Sequence, residues 1–187
     1  MKIIGITGTI GAGKGTIVDY LTKHYHFAHY SVRGYLIKVI TQRELPVNRD
    51  TMVAVANELR THNSPSFITD ELYKEAEYEG KNAIIESIRT PGEVESLKKT
   101  GDFVLLAVDA TPEVRYQRIV KRNSETDHIS FETFLDNEKR EMTAIDPNKQ
   151  NLAACIHLSD FVLANNDGFE NLYRQIDEVM ENLNLKS

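Results

Sequence analysis

A glycine-rich segment with a lysine near its end has the residue types and spacing that hold a polyphosphate. Glycines allow the backbone to turn its N–H groups toward phosphate oxygens. A helix that starts directly afterwards adds unpaired N–H donors and partial positive charge. Lys14 is placed to reach the β- and γ-phosphates of a nucleoside triphosphate. We predict that the donor nucleotide is bound by Gly8, Thr9, Ile10, Gly11, Ala12, Gly13, Lys14, Gly15 and Thr16.

Two oxygen-bearing side chains are candidates for holding Mg²⁺. The usual phosphate-loop pattern has Ser or Thr directly after the lysine, whereas here Gly15 comes between Lys14 and Thr16. Thr16 is therefore a candidate metal ligand, with the metal held mainly through water. Glu86 is the second candidate, because it ends an apolar segment and could organise the metal through water molecules. We also predict that Glu86 takes part in catalysis.

Basic residues elsewhere in the chain could bind phosphate groups. Arg118 and Arg122 are four residues apart and would share one face of a helix. Phosphoryl transfer needs positive charge around the migrating group, so we predict that both arginines surround it together with Lys14. The alternative for each basic residue is an ordinary solvated position at the surface. Candidates for holding the phosphate of an acceptor are Arg33, Lys38, Arg49, Arg60 and Arg89.

Short apolar segments alternate with amphipathic segments along the chain. This pattern predicts an α/β protein with a five-stranded parallel sheet and helices on both faces, and with ligands beyond the carboxyl ends of the strands. The predicted strands are Lys2–Thr7, Phe27–Tyr30, Asn82–Glu86, Phe103–Val108 and Phe161–Ala164. The predicted helices are Gly15–His24, Gly34–Thr41, Thr51–Arg60, Pro65–Glu77, Pro91–Lys98, Pro112–Arg122, Phe131–Thr143, Lys149–His157 and Phe169–Leu183.

Composition narrows the class of protein. The chain has 187 residues, 41% of them hydrophobic, which suits one domain with a real core. The formal net charge of −6 argues against a broad nucleic-acid surface. The lone Cys155 excludes an intramolecular disulfide and a cysteine-rich zinc site. We expect no signal peptide, no membrane segment and a cytoplasmic location, while the oligomeric state is left open.

These motifs together resemble the nucleoside monophosphate kinase group. The segment Gly8–Thr16 is similar to the adenylate kinase loop, and Ser31–Lys38 is similar to the segment that opens the acceptor-nucleotide domain. The segment Glu86–Thr90 looks like a shortened form of the motif Asp-Gly-Phe-Pro-Arg-Thr. The resemblance implies that Arg89 holds the acceptor phosphate and that Glu86 takes the role of the aspartate. It also implies that Arg118 stacks on adenine and Arg122 contacts phosphate.

Other segments resemble neighbouring kinase families. The order of motifs through Ser159–Gly168 is similar to dephospho-CoA kinase, and this implies that Asn166 and Gly168 lie against the adenine ring. The Pro-Leu-Leu that follows the third strand of that enzyme is missing here. The segment Asn48–Arg60 is similar to viral-type deoxynucleoside monophosphate kinases and to an archaeal adenylate-kinase-related group.

The resemblance implies a three-layer P-loop NTPase fold in a single domain, residues 1–187. It implies a small helical acceptor region at about 31–78 and a short lid at about 123–146. We expect an ATP- and Mg²⁺-dependent kinase that phosphorylates a nucleoside or deoxynucleoside monophosphate. A hydroxyl kinase of the dephospho-CoA kinase type is one alternative. Others are an NTPase without a small-molecule acceptor and a protein that keeps the loop only to bind nucleotide.

Overall fold

A computed structural model describes residues 1–122 and 129–186, which contain five strands and nine helices. The strands are β1 (Ile3–Gly8), β2 (Ala28–Ser31), β3 (Ala83–Glu86), β4 (Phe103–Asp109) and β5 (Phe161–Ala164). The helices are α1 (Lys14–Tyr25), α2 (Val32–Gln42), α3 (Arg49–His62), α4 (Phe67–Glu79), α5 (Pro91–Lys98), α6 (Pro112–Arg122), α7 (Phe131–Met142), α8 (Leu152–His157) and α9 (Phe169–Asn182).

The strands form one parallel sheet in the order β2-β3-β1-β4-β5. Every residue of β1, the central strand, is buried, because helices cover both faces of the sheet. Helices α1 and α9 pack on the face that carries Ile4 and Ile6. Helices α2, α3, α4, α5 and α8 contribute to the core on the other face, around Ile3 and Ile85. The predicted five-stranded parallel sheet with helices on both faces is confirmed.

Local sequence signals explain where several helices begin. Thr90 and Glu93 form a capping box at the start of α5, as expected from a hydroxyl before Pro91. The same reasoning applied to Pro65 is wrong, because α4 begins at Phe67 and Pro65 lies in the turn before it. Helix α8 also begins later than predicted, because the side chain of Asn151 accepts a hydrogen bond from Ala154 N and caps the helix there.

An acceptor region and a lid are predicted from the sequence. The acceptor region at about 31–78 corresponds to α2, α3 and α4, which pack against one another. The first part of the predicted lid, residues 123–128, lies outside the described residues. Its later part is α7, which Ser130 caps and whose Phe134 is fully buried. In the described part of the chain we find no helix with the length and apolar character needed to cross a membrane.

Candidate nucleotide-binding site

The glycine-rich loop connects β1 to α1 and fits closely against two other elements. Gly11 has φ 77° and Gly13 has φ 113°, a region that favours glycine. A Cβ on Gly13 would lie 2.2 Å from Asn165 Nδ2, and one on Gly11 would lie 2.6 Å from the carbonyl oxygen of Arg115. Both positions therefore require glycine, and the ends of β5 and α6 support the loop.

Lys14 is the first residue of α1, and its side chain folds back over the loop. The ammonium donates hydrogen bonds to the carbonyl oxygens of Gly8, at 2.8 Å, and Thr9, at 2.9 Å. Burial lowers the pKa of Lys14 from its ordinary value of 10.5 to about 7, and the positive charge of Arg89 acts in the same direction. A desolvated ammonium beside another cation is stabilised when an anionic ligand arrives.

Glu86 occupies the carboxyl end of β3 in the register position opposite Ile6 of β1. Its carboxylate lies 3.3 Å from His29 Nε2 and accepts a hydrogen bond from Ser87 Oγ at 3.2 Å. Burial raises the pKa of Glu86, but hydrogen bonds from His29 and Ser87 and the positive charges of Lys14 and His29 outweigh burial, so the pKa lies below its ordinary value. The carboxylate is therefore ionised at neutral pH. His29 is a neighbour of Glu86 that has no role predicted from the sequence.

Two of the predicted acceptor residues meet at a carboxylate that the sequence analysis did not single out. Arg89 Nη1 donates to Glu141 Oε2 at 2.8 Å and to Gln150 Oε1 at 2.7 Å. Arg49 Nη2 donates to the other oxygen, Oε1, of Glu141. A cavity of about 320 Å³ adjoins this cluster, and its lining includes Arg49, Glu141, Gln150 and Asn57. No local signal identifies Glu141, because its partners lie far away in the sequence.

The remaining acceptor candidates lie outside this arginine pair. Arg60 is 1% exposed, and its Nη2 donates to Glu93 Oε1 at 2.7 Å. This interior ion pair does not fit the predicted contact of Arg60 with an acceptor. Arg33 is exposed beside α3, with Nη1 3.3 Å from Met52 Sδ, and Lys38 is also exposed. Arg33 and Lys38 are five positions apart on α2, or about 140° around the helix, so they lie on different sides of it.

The two arginines of α6 interact with different parts of the chain. Arg118 Nη2 donates to the backbone oxygen of Asn165 at 2.8 Å, so this arginine lies against the turn between β5 and α9. Asn166 and Gly168, the predicted adenine contacts, belong to the same turn. Arg122 instead acts on Lys14, where its positive charge contributes to the lowered pKa. Arg118 thus contacts the turn that contains the predicted adenine contacts, whereas Arg122 interacts electrostatically with Lys14.

Arg115, to which the sequence analysis assigns no role, connects the loop to α7. Its buried guanidinium donates to the carbonyl oxygen of Ala110 at 2.7 Å and is paired with Glu138. The same group lies 5.3 Å from the ring centroid of Phe134. Beside it, Thr9 Oγ1 donates to Asp109 Oδ1 at 3.0 Å, which links the loop to the end of β4. These contacts hold the loop in place from the side of β4, α6 and α7.

Sequence comparison finds relatives that span the whole chain. A UPF0200 protein of Methanocaldococcus jannaschii is 28% identical, over 98% of this chain and 91% of its own length. A UPF0200 protein of Pyrococcus abyssi is 25% identical, over 97% of this chain and 96% of its own length. Neither description names an activity.

Solved structures with the same fold include small-molecule kinases. Shikimate kinase from Bacteroides thetaiotaomicron is similar with a TM-score of 0.59 and 13% identity, covering 98% of this chain and 99% of that chain. A gluconokinase from Sinorhizobium meliloti is similar with a TM-score of 0.56 and 11% identity, covering 98% and 95%. The chain thus has a P-loop kinase-like fold. Since residues 4–146, most of the chain, match the family described as AAA domain, the protein belongs to that family.

Proposed function

We propose that the protein is a Mg-ATP-dependent kinase that transfers the γ-phosphoryl group of ATP to a nucleoside or deoxynucleoside monophosphate. One observation carries this proposal. Four charged groups act electrostatically on the ammonium of Lys14, and they come from β3, the segment after it, α6 and α7: Glu86, Arg89, Arg122 and Glu141. This electrostatic coupling supports assigning the lysine of the donor loop and Arg89, the predicted acceptor residue, to one site.

The donor side is assigned to the loop and the turn after β5. Backbone N–H groups of the loop bind the phosphates of ATP, and Lys14 and Arg122 neutralise charge on the transferred group. Arg118, Asn166 and Gly168 hold the adenine. The fit of ATP is supported by the loop itself, in which Gly11 and Gly13 take positive φ angles and pack directly against Arg115 and Asn165, as a tight phosphate-binding turn requires.

Magnesium is assigned to Thr16 and Glu86. Hydroxyl and carboxylate oxygens are the ligand atoms that Mg²⁺ prefers, and it usually keeps several of its own waters. The lowered pKa of Glu86 supports this assignment, because it keeps the carboxylate ionised at neutral pH. When bound, the metal ion supplies positive charge that stabilises the transferred phosphoryl group.

The acceptor side is assigned to the arginine pair and the adjoining cavity. Arg89 and Arg49 hold the phosphate of the acceptor, and Arg33 lies at the edge of the same helical region, beside α3. Two guanidinium groups bind a phosphate well because their N–H donors match its oxygens. A phosphate oxygen is already ionised near neutral pH, so the transfer depends on positioning and needs no general base.

A hydroxyl acceptor is the second candidate. Structures of the same fold include shikimate kinase and gluconokinase. An ionised carboxylate near Lys14 could accept the proton of a substrate hydroxyl, and Glu86 provides one. Dephospho-CoA belongs to this class of acceptor. A third candidate is an NTPase that uses no small-molecule acceptor.

Release of ADP from Mg-ATP, measured in a coupled assay, separates these candidates. The acceptors to test are all nucleoside and deoxynucleoside monophosphates, dephospho-CoA, shikimate and gluconate. We expect a monophosphate to raise ADP release well above the rate with ATP alone. A response only to hydroxyl acceptors would favour the second candidate, and ADP release that no acceptor stimulates would favour the NTPase.

The Lys14→Ala variant tests the donor side in the same assay. We expect it to fold, as judged by circular dichroism, and to lose at least about 100-fold in turnover, because a desolvated charge aimed at the phosphates contributes several kcal/mol. Lys23→Ala is the matched control, since Lys23 lies exposed in the last turn of the same helix. Undiminished turnover in Lys14→Ala would contradict the assignment.

A further inference from the structure

We propose that Glu141 is an internal competitor for the acceptor. Its carboxylate occupies the position between Arg49 and Arg89 that the anionic group of the acceptor takes, and binding of the acceptor displaces it. This inference rests on the proposed function only in identifying that group as the acceptor's phosphate.

The geometry of the pair matches an oxyanion site. One oxygen of Glu141 accepts from Arg49 and the other accepts from Arg89, the latter at 2.8 Å. A carboxylate shared by two guanidinium groups uses the same donors that bind a phosphate. Without an anion between them, two neighbouring arginines would repel each other and Lys14. Glu141 supplies that anion from within the chain.

The arginines are more accessible than the carboxylate that joins them. The side chain of Glu141 is 11% exposed, whereas those of Arg49 and Arg89 are 27% and 24% exposed. Arg49 and Glu141 both line the cavity of about 320 Å³. A ligand that enters this cavity can therefore reach an arginine before Glu141 has moved, and the exchange needs no unfolding.

An unpaired polar atom in the wall of the same cavity also points to a ligand. Its lining includes Asn57, whose side-chain oxygen is buried and, among the described residues, has no hydrogen-bond partner. A buried acceptor without a donor costs free energy, and native proteins seldom keep one without a reason. Because the oxygen is closed to solvent, an N–H or O–H group of a ligand would satisfy it after a small shift of the cavity wall. The cavity therefore suits a ligand with an anionic group at one end and a hydrogen-bond donor at another, as in a nucleotide.

The position of Glu141 in α7 allows its side chain to leave while the helix stays. The body of α7 is fixed by the buried Phe134 and by the ion pair between Arg115 and Glu138. Glu141 is the second-last residue of the helix, and Thr143 directly after the helix is already extended. A change in the last turn, or a new rotamer, is therefore enough to release the carboxylate.

Titration with inorganic phosphate tests the competition, by calorimetry at constant ionic strength in chloride. We expect Glu141→Gln to bind phosphate about tenfold more tightly than the unmodified chain, because charge-assisted hydrogen bonds to the arginines are freed. Asp136→Asn is the matched control, since Asp136 is exposed on the same helix and its change also removes one negative charge. We expect it to bind phosphate like the unmodified chain.

A double variant, Glu141→Gln with Arg89→Met, locates the phosphate. The gain in affinity should disappear if the phosphate lies between the arginines. A gain that survives in the double variant would place the phosphate elsewhere, such as at the glycine-rich loop, and would overturn the proposal. Unchanged or weaker binding by Glu141→Gln would also overturn it, because Glu141 would then be a permanent support that orients the arginines.

If Glu141→Gln does not fold, Glu141→Asp replaces it as the test variant, because the shorter side chain keeps the charge but does not span both arginines. A smaller gain in phosphate affinity is expected for Glu141→Asp, and no gain overturns the proposal.

Phosphate binding needs no turnover, so the competition can be tested apart from the kinase activity. A protein that is inactive with every acceptor but shows the gain in phosphate affinity would refute the proposed function and leave this inference standing.

Discussion

Burial lowers the pKa of the Lys14 ammonium, and binding of an anionic ligand should raise it again. Its pKa is about 7 because burial disfavours the charged form. At pH 8 roughly nine-tenths of the groups are therefore neutral, whereas a bound triphosphate would restore the charge. We predict that binding of Mg-ATP at pH 8 takes up about 0.9 proton. Calorimetry in two buffers of different ionisation enthalpy measures this number directly.

Two variants separate Lys14 from other sources of protons. Lys14→Met should bind Mg-ATP more weakly and without proton uptake, because the titrating group is gone. Lys23→Met should behave like the unmodified chain, because Lys23 is exposed. Binding of Mg-ATP that takes up no proton in the unmodified chain would show that Lys14 is already charged before the ligand arrives.

Side chains of the same type in the same region prove to have different environments. Arg60 and Arg89 are both candidates for the acceptor phosphate from sequence alone. Arg60 is paired with Glu93, 33 residues away, and lies in the interior, whereas Arg89 meets Glu141, 52 residues away, next to a cavity. The glycine-rich loop could be predicted because all its residues are adjacent in the sequence. The partner of each arginine could not, since nothing local specifies it.

Helix α5 begins at a buried carboxylate that joins three segments. Glu93 is fully buried, and one of its oxygens accepts from Arg60 Nε and Nη2. The other oxygen accepts from the backbone N–H groups of Arg89, at 2.7 Å, and Thr90, at 3.0 Å. We predict that Glu93→Gln lowers the free energy of unfolding by about 3–5 kcal/mol, because it leaves the charge of Arg60 buried without its partner.

Urea unfolding measures this loss, and two variants in the same helix calibrate it. Thr90→Ala removes the side-chain cap of the helix and the hydrogen bond from Thr90 Oγ1 to the carbonyl oxygen of Pro65, and should cost about 2 kcal/mol. Glu95→Gln changes an exposed carboxylate and should stay within about 0.5 kcal/mol of the unmodified chain. If Glu93→Gln were as stable as Glu95→Gln, the buried ion pair would contribute nothing to stability.

The predicted ends of helices and strands agree with the structure where adjacent residues determine them. The predicted bounds of β5, α5 and α6 agree with the structure, because strand residues, capping residues and prolines mark them directly. Helix α4 does not begin at Pro65, although Ser64 provides a hydroxyl directly before it. The side chain of Ser66 donates to Asp70 at 2.7 Å, and the helix begins only at Phe67. Whether a hydroxyl caps a helix depends on which nearby polar group it hydrogen-bonds. The spacing of residues in the sequence does not determine that partner.

Strand order determines which groups meet at the edge of the sheet. The strand β1 lies between β3 and β4, so the glycine-rich loop emerges beside Glu86 and Asp109. The alternation of apolar and amphipathic segments predicts a parallel sheet with helices on both faces. It does not predict that order, because the pairing of strands far apart in the sequence depends on packing of the complete chain. The sequence therefore indicates which charged residues follow the strands, whereas the order of the strands and the resulting neighbours come only from the structure.

Cys155 gives a measure of how the whole molecule opens. It is the only cysteine in the sequence, and it is fully buried in α8 against the core around the sheet. Burial raises the pKa of its thiol to about 12, so the folded protein should react with iodoacetamide only after opening. We predict that Mg-ATP at 100 times its Kd slows labelling about 100-fold, because the ligand binds the folded state alone. Cys155→Ala is the control for labelling at other groups. If Mg-ATP does not slow the labelling, α8 opens by itself while the nucleotide site stays folded.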